Sequence, residues 1–175
     1  MMKYIAFLRG INVGGNKKIS MKELAALFKR AGFRNIKTIL NSGNVVFEGK
    51  ETAQEALARK IEKAIEDEFG FEVEVQVRTL DEIKELVEKN PFKAFKPDKN
   101  FHWYVTFLND FKGKSPLAVD DSHKILGIEN NCLFTILDRA KGRSTDFMVI
   151  IDKTFGKKVT TRNWKTIVKI AGVKL

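Results

Sequence analysis

The chain is poor in metal-binding and disulfide-forming residues. Of its 175 residues one is cysteine, Cys132, and two are histidine, His102 and His123. A single thiol excludes an intrachain disulfide, and one thiol with two imidazoles argues against a structural zinc site. Long apolar runs are missing too. The longest, such as Phe147 to Ile151, hold five residues, whereas a membrane helix needs roughly twenty. The apolar stretch Tyr4 to Leu8 is cut short by Arg9, so no secretory signal is expected. These absences predict a soluble cytoplasmic protein with no membrane partner, no resident metal and no cofactor. With 43% apolar and 31% charged residues, the chain can bury a core, as one compact domain or two small ones.

The net charge is +10, and it is unevenly placed: Arg139 to Leu175 holds 10 basic and 2 acidic residues, the remainder 22 and 20. A basic C-terminal third suits an anionic partner, either a small molecule or nucleic acid. The plainer reading is that the lysines serve solubility.

Hydrophobic spacing and capping signals give the elements. Lys3 to Arg9 is apolar at almost every position, the pattern of a central strand covered on both faces. Gly10 to Lys18 is a Gly/Asn-rich loop. Ser20 and Glu23 form a capping box ahead of a helix ended by Gly32. Strands are expected over Arg34 to Leu40 and Val45 to Glu48, joined by the turn Asn41-Ser-Gly-Asn44. Thr52 and Glu55 read as a second capping box, opening a helix that closes near Gly70. Phe71 to Val77 alternates as an edge strand does. This order, β-α-β-β-α-β, is the ferredoxin-like one. Thr79 and Glu82 make a third capping box, for a helix ending before Pro91. Next come a connector (92–100), a strand (Phe101 to Leu108), a short helix after Pro116, a hairpin of His123 to Ile128 with Cys132 to Leu137, and a helix capped by Ser144 and running to about Phe155. A last helix is expected from Thr160 or Thr161.

The predicted fold is therefore α+β, with two ferredoxin-like subdomains, the second incomplete and carrying an extra C-terminal helix. The boundaries are 1–79 and 101–175, with 80–100 as helix and connector. Element order alone supports the duplication; no self-similarity is apparent.

In this topology the first and second strands are parallel with the third between them. The loop after strand one and the turn after strand two then share an edge. That edge gathers Arg9, Asn12, Gly14, Gly15, Lys17, Ser42, Gly43 and Asn44. Arg9 and Lys17 supply charge, Gly14, Gly15 and Gly43 backbone donors, and Asn12, Ser42 and Asn44 orienting hydrogen bonds, which suits phosphate or carboxylate. The same residue types also build ordinary turns. A second anion seat is Thr161, Arg162 and Asn163 at the expected start of the last helix, joining the first if that helix folds back to the same edge.

Sharper chemistries fail on spacing. Gly10 to Lys17 nearly matches a phosphate-binding loop, but Asn16 separates Gly15 from the lysine. No G-x-S-x-G is present. Neither loop carries a general base, so catalytic residues stay unassigned.

Three stretches, Tyr4 to Asn16, Asn41 to Phe47 and Thr160 to Trp164, resemble the signatures of the bacterial domain-of-unknown-function family numbered 1697. The resemblance spans essentially the whole chain and implies the duplicated ferredoxin-like fold, with no settled activity. Two alternatives to the anion site stay open: a nucleic-acid-binding module using the basic third, and an enzyme acting on a small phosphorylated or carboxylated substrate.

Overall fold

The structure, a computed structural model, describes residues 1–109, 111 and 121–175. The short helix expected after Pro116 lies outside them. Among the described residues the chain forms two four-stranded antiparallel sheets and five helices, an α+β fold. It divides into two compact units, Met1–Glu85 with Lys169–Leu175, and Leu86–Val168.

The first unit runs β1 (Met2–Leu8), α1 (Met21–Arg30), β2 (Arg34–Ile39), β3 (Asn44–Gly49), α2 (Gln54–Phe69), β4 (Val75–Thr79) and the opening of α3 (Leu80–Lys89). Its strand order is β2-β3-β1-β4, the ferredoxin-like order. Tyr4, Ala6 and Leu8 face the helices and join Leu24, Leu27 and Phe28 of α1 and Leu57, Ile61 and Ile65 of α2 in one core. Ile5 and Phe7, on the opposite face of β1, are also buried, as the unbroken apolar run predicts. Each such side chain contributes about 1.5–3 kcal/mol. Tyr4 and Phe33 flank Phe47 at centroid distances of 5.6 and 4.5 Å.

The second unit continues with β5 (Phe101–Phe107), β6 (His123–Glu129), β7 (Cys132–Asp138), α4 (Ser144–Phe155), β8 (Thr160–Asn163) and α5 (Trp164–Ala171). Its order, β6-β7-β5-β8, repeats the first. Leu133, Leu137, Phe147 and Ile151 form the core between sheet and α4. On the other face Phe92 stacks on Trp103 at 5.2 Å and meets Trp164 at 5.1 Å.

Three local expectations need correction. Thr160 and Thr161 do not start a helix; they belong to β8, the fourth strand that the sequence reading lacks. A polar four-residue strand has no periodicity to announce it, and its pairing with β5 decides. Thr52 does not cap α2: Ala53 holds the cap position without a side-chain bond, and the backbone of Thr52 meets the Tyr4 hydroxyl at 3.4 Å. Ser144 is the first helical residue of α4, following Arg143 at the cap. The boxes Ser20/Glu23 and Thr79/Glu82 do form, with both reciprocal bonds.

The two units share a register as well as an order. Phe7 pairs with Asn44 and Ile5 with Arg78 in the first; Phe107 pairs with Cys132 and Val105 with Arg162 in the second. Superposing these registers aligns Tyr4-Ile-Ala-Phe-Leu8 with Tyr104-Val-Thr-Phe-Leu108, three identities in five.

Two buried side-chain groups lack a hydrogen-bond partner among the described residues, the Trp103 indole N–H and the Thr135 hydroxyl. The Thr135 hydroxyl on β7 is fully buried with no hydrogen-bond partner. Thr135→Val removes that cost while keeping shape and strand preference. It should raise stability by about 1 kcal/mol, a shift of about 3 °C in Tm by calorimetry.

Candidate functional site

The loop between β1 and α1 is a small hairpin. Val13 and Asn16 bridge across it, and Asn16 N–H donates to the Val13 carbonyl at 3.3 Å. Its two-residue tip is Gly14 (φ 62°) and Gly15 (φ 81°), both in the left-handed region. A tight turn with two positive φ values demands this pair. The hairpin projects from the first unit, with Val13 66% exposed.

Asn12 anchors its base. Its side-chain N–H donates to the carbonyls of Ile19 (2.9 Å) and Asn41 (3.0 Å), and its Oδ1 accepts from Ile19 N–H at 2.9 Å. The bond to Asn41 ties the hairpin to the turn between β2 and β3. A second tie runs from Leu8 N–H to the Gly43 carbonyl at 2.7 Å. The two loops expected at one edge are thus in direct contact.

The predicted residues divide by accessibility. Gly14, Gly15, Lys17 and Ser42 are exposed and Arg9 is half-buried. Lys17 Nζ donates to the Glu72 carbonyl at 2.6 Å, and Arg9 N–H to the Glu74 carbonyl at 2.9 Å. Asn44 is fully buried, donating to the Ile39 carbonyl (2.9 Å) and Ser42 Oγ (3.0 Å). Gly43 is buried with φ 73°, and a Cβ there would stand 2.8 Å from Leu8 Cβ. These two form the turn from within.

Between hairpin and helix lies an open groove of about 740 Å³, lined by Asn12, Gly15, Lys18, Ser20, Glu23 and Asn41 over Ile19 and Met21. Lys18, Ser20, Glu23 and Asn41 are polar additions to the predicted set. Lys18 neighbours a predicted residue and Asn41 opens the second motif, so proximity in sequence was the available signal. Hydrogen bonds from Ser20, side chain before backbone, hold the Glu23 carboxyl below its ordinary pKa.

Thr161, Arg162 and Asn163 lie in the second unit, on β8. Thr161 Oγ1 is 2.8 Å from Thr106 Oγ1, and Asn163 Oδ1 accepts from Lys165 N–H at 2.9 Å, capping α5. Arg162 Nη1 donates to Thr160 Oγ1 (2.8 Å) and the Thr161 carbonyl (3.0 Å). Desolvation lowers its pKa to about 10, leaving it cationic at neutral pH. Arg78, its register equivalent, makes the same pattern, with Gln76 Oε1 at 3.3 Å and the Val77 carbonyl at 2.8 Å. Among the described residues no helix is long and apolar enough to cross a membrane, and no group of three His, Cys, Asp or Glu side chains is placed to hold a metal ion.

Comparison with known proteins bears on fold and kinship. The family model described as "Protein of unknown function (DUF1697)" matches residues 1–125. A search of curated proteins gave no match. Among solved structures, the conserved bacterial protein SP0830 of Streptococcus pneumoniae is similar, with TM-score 0.70 and 21% identity over 97% of both chains. That likeness establishes the fold.

The glycines of this edge should respond differently to substitution. Gly43→Ala combines left-handed strain with a clash at Leu8 and Ile11, and should cost about 2–4 kcal/mol. Gly14→Ala has open space and should cost about 1 kcal/mol. Urea denaturation of the two variants checks the contrast.

Proposed function

Since the chain belongs to the DUF1697 family, whose description carries no activity, we propose from its own residues that the first unit binds a small oxyanion, phosphate or carboxylate, in the groove lined by the hairpin, the start of α1 and Asn41 of the β2–β3 turn. The observation that carries this reading is the tie of Asn12 to Asn41, which fixes two polar loops as the walls of one groove. A preformed wall costs little entropy on binding. Lys18 provides charge, and the exposed backbone at Gly14 and Gly15 lets a ligand approach closely. Glu23 also lines the groove, with its carboxylate on the Ser20 N–H. The anion therefore belongs at the Gly15–Lys18 side, where it avoids that charge.

A second reading, nucleic-acid binding, draws on the basic third, where Arg139, Lys141, Lys153, Lys157, Lys158 and Lys165 are all exposed. It requires binding that weakens steeply with salt, because displaced counterions drive it.

Titration with inorganic phosphate and with acetate, followed by amide NMR, tests the first reading. The Gly14, Gly15 and Lys18 amides should shift saturably, and Lys18→Ala should weaken binding about tenfold, or 1.4 kcal/mol. Unmoved amides with either anion reject it. Anisotropy of a labelled unstructured RNA, at low and moderate salt, tests the second. Steep salt dependence supports it, and absence of binding at low salt eliminates it.

A further inference from the structure

The duplication supplies an internal control for a polar cluster in the second unit. His102 Nδ1 lies 3.1 Å from the Tyr104 hydroxyl, and that hydroxyl lies 3.0 Å from Ser144 Oγ. All three residues are partly buried. In the first unit the equivalent tyrosine, Tyr4, meets the Met2 sulfur at 3.6 Å and the backbone of Thr52 at 3.4 Å. Thr52 leads into α2 as Ser144 opens α4. The shared fold thus asks for a tyrosine that reaches from the central strand to the segment entering the next helix. It does not ask for the imidazole or the serine hydroxyl, which the second unit adds.

The charges around this position are inverted between the units. Gly49 pairs with Met2 and Leu137 with His102. Two residues further on, Arg139 stands where the first unit has Glu51. Leu80 and Trp164 open the helices after the equivalent edge strands. One residue further on, Lys165 stands where the first unit has Asp81. Both cations are exposed. Desolvation first, then the charges of Arg139 and Lys165, lower the His102 pKa, so the imidazole is neutral at neutral pH. The carboxylates flanking the cluster in sequence have partners of their own. Asp146 pairs with Arg143 at 2.9 Å, and Asp138 Oδ1 accepts from Ala140 N–H at 3.0 Å.

We propose that His102, Tyr104, Ser144, Arg139 and Lys165 form a binding site for the phosphate monoester group of a small molecule, separate from the groove of the first unit. A monoester carries about −1.5 to −2 charge near pH 7, which two cations match. A neutral imidazole protonated at Nδ1 donates to Tyr104, and Tyr104 donates to Ser144. The Ser144 hydroxyl proton is then left for a phosphate oxygen. An arriving dianion offsets the two cations that disfavour imidazolium, so binding raises the His102 pKa.

The test follows the ring protons of His102 through a pH titration, with inorganic phosphate and with phenyl phosphate; His123, buried, is the internal reference. Phosphate should raise the His102 pKa saturably by about half a unit or more. Tyr104→Phe, which keeps the ring stacked on Phe147, should weaken binding severalfold. Tyr4→Phe, the same change in the first unit, should leave it intact. Should Tyr104→Phe fail to fold, Ser144→Ala replaces it with the same expected loss. The proposal is overturned if up to about 20 mM phosphate, enough to fill a millimolar site, leaves His102 unmoved. It is also overturned if Arg139→Gln with Lys165→Gln preserves the full shift. Finally, dimethyl phosphate or an RNA oligomer acting as strongly as phenyl phosphate would assign the surface to phosphodiesters and overturn the monoester.

Discussion

Each central strand of this protein ends on one backbone hydrogen bond. Leu8 N–H donates to the Gly43 carbonyl at 2.7 Å, and Leu108 N–H to the Asn131 carbonyl at 2.8 Å. Both donors belong to buried residues, and a buried N–H without a partner is costly. The acceptor residue is left-handed each time, φ 73° at Gly43 and 56° at Asn131. In each unit the left-handed residue ends the turn while its carbonyl completes the antiparallel ladder with the central strand. Glycine and asparagine are the residues that tolerate the left-handed conformation. In the first unit this bond also fixes where the chain leaves β1, and hence where the Gly10–Lys18 hairpin rises.

The shared frame separates what folding requires from what it leaves free. Tyr4 and Tyr104, Phe7 and Phe107, and Arg78 and Arg162 occupy equivalent registers. The two arginines bond along their own strands in the same pattern. An arginine reproduced in both units with the same local geometry has a role that the frame itself explains. The residues present in one unit alone are the informative ones: the Gly/Asn hairpin with Lys18 in the first, and His102, Ser144, Arg139 and Lys165 in the second.

Much of this was legible in the residues. The apolar run of β1 predicted a strand buried on both faces. The boxes at Ser20 and Thr79 predicted the starts of α1 and α3, because their reciprocal bonds lie within four residues of chain. The meeting of the two loops followed from topology. Thr52 shows where such local reasoning stops. Its box pattern is intact, yet the Tyr4 hydroxyl, distant in sequence, takes its backbone. β8 was hidden for a related reason: Thr-Thr-Arg-Asn has no alternation, and its strand character comes from pairing with β5. The repeat between Tyr4–Leu8 and Tyr104–Leu108 is short enough to pass as chance until the shared register aligns it.

The groove also shows why a helix start near glycines is not by itself an anion seat. The partial positive charge at the start of α1 is answered within the chain, since Glu23 is a first-turn carboxylate bonded to the Ser20 N–H at 3.0 Å. An anion placed there would meet a carboxylate whose pKa the hydrogen bonds from Ser20 lower. In the proposed oxyanion site, selectivity would thus follow from a fold-forming contact: the capping box that starts α1 would turn incoming negative charge toward the Gly15–Lys18 wall.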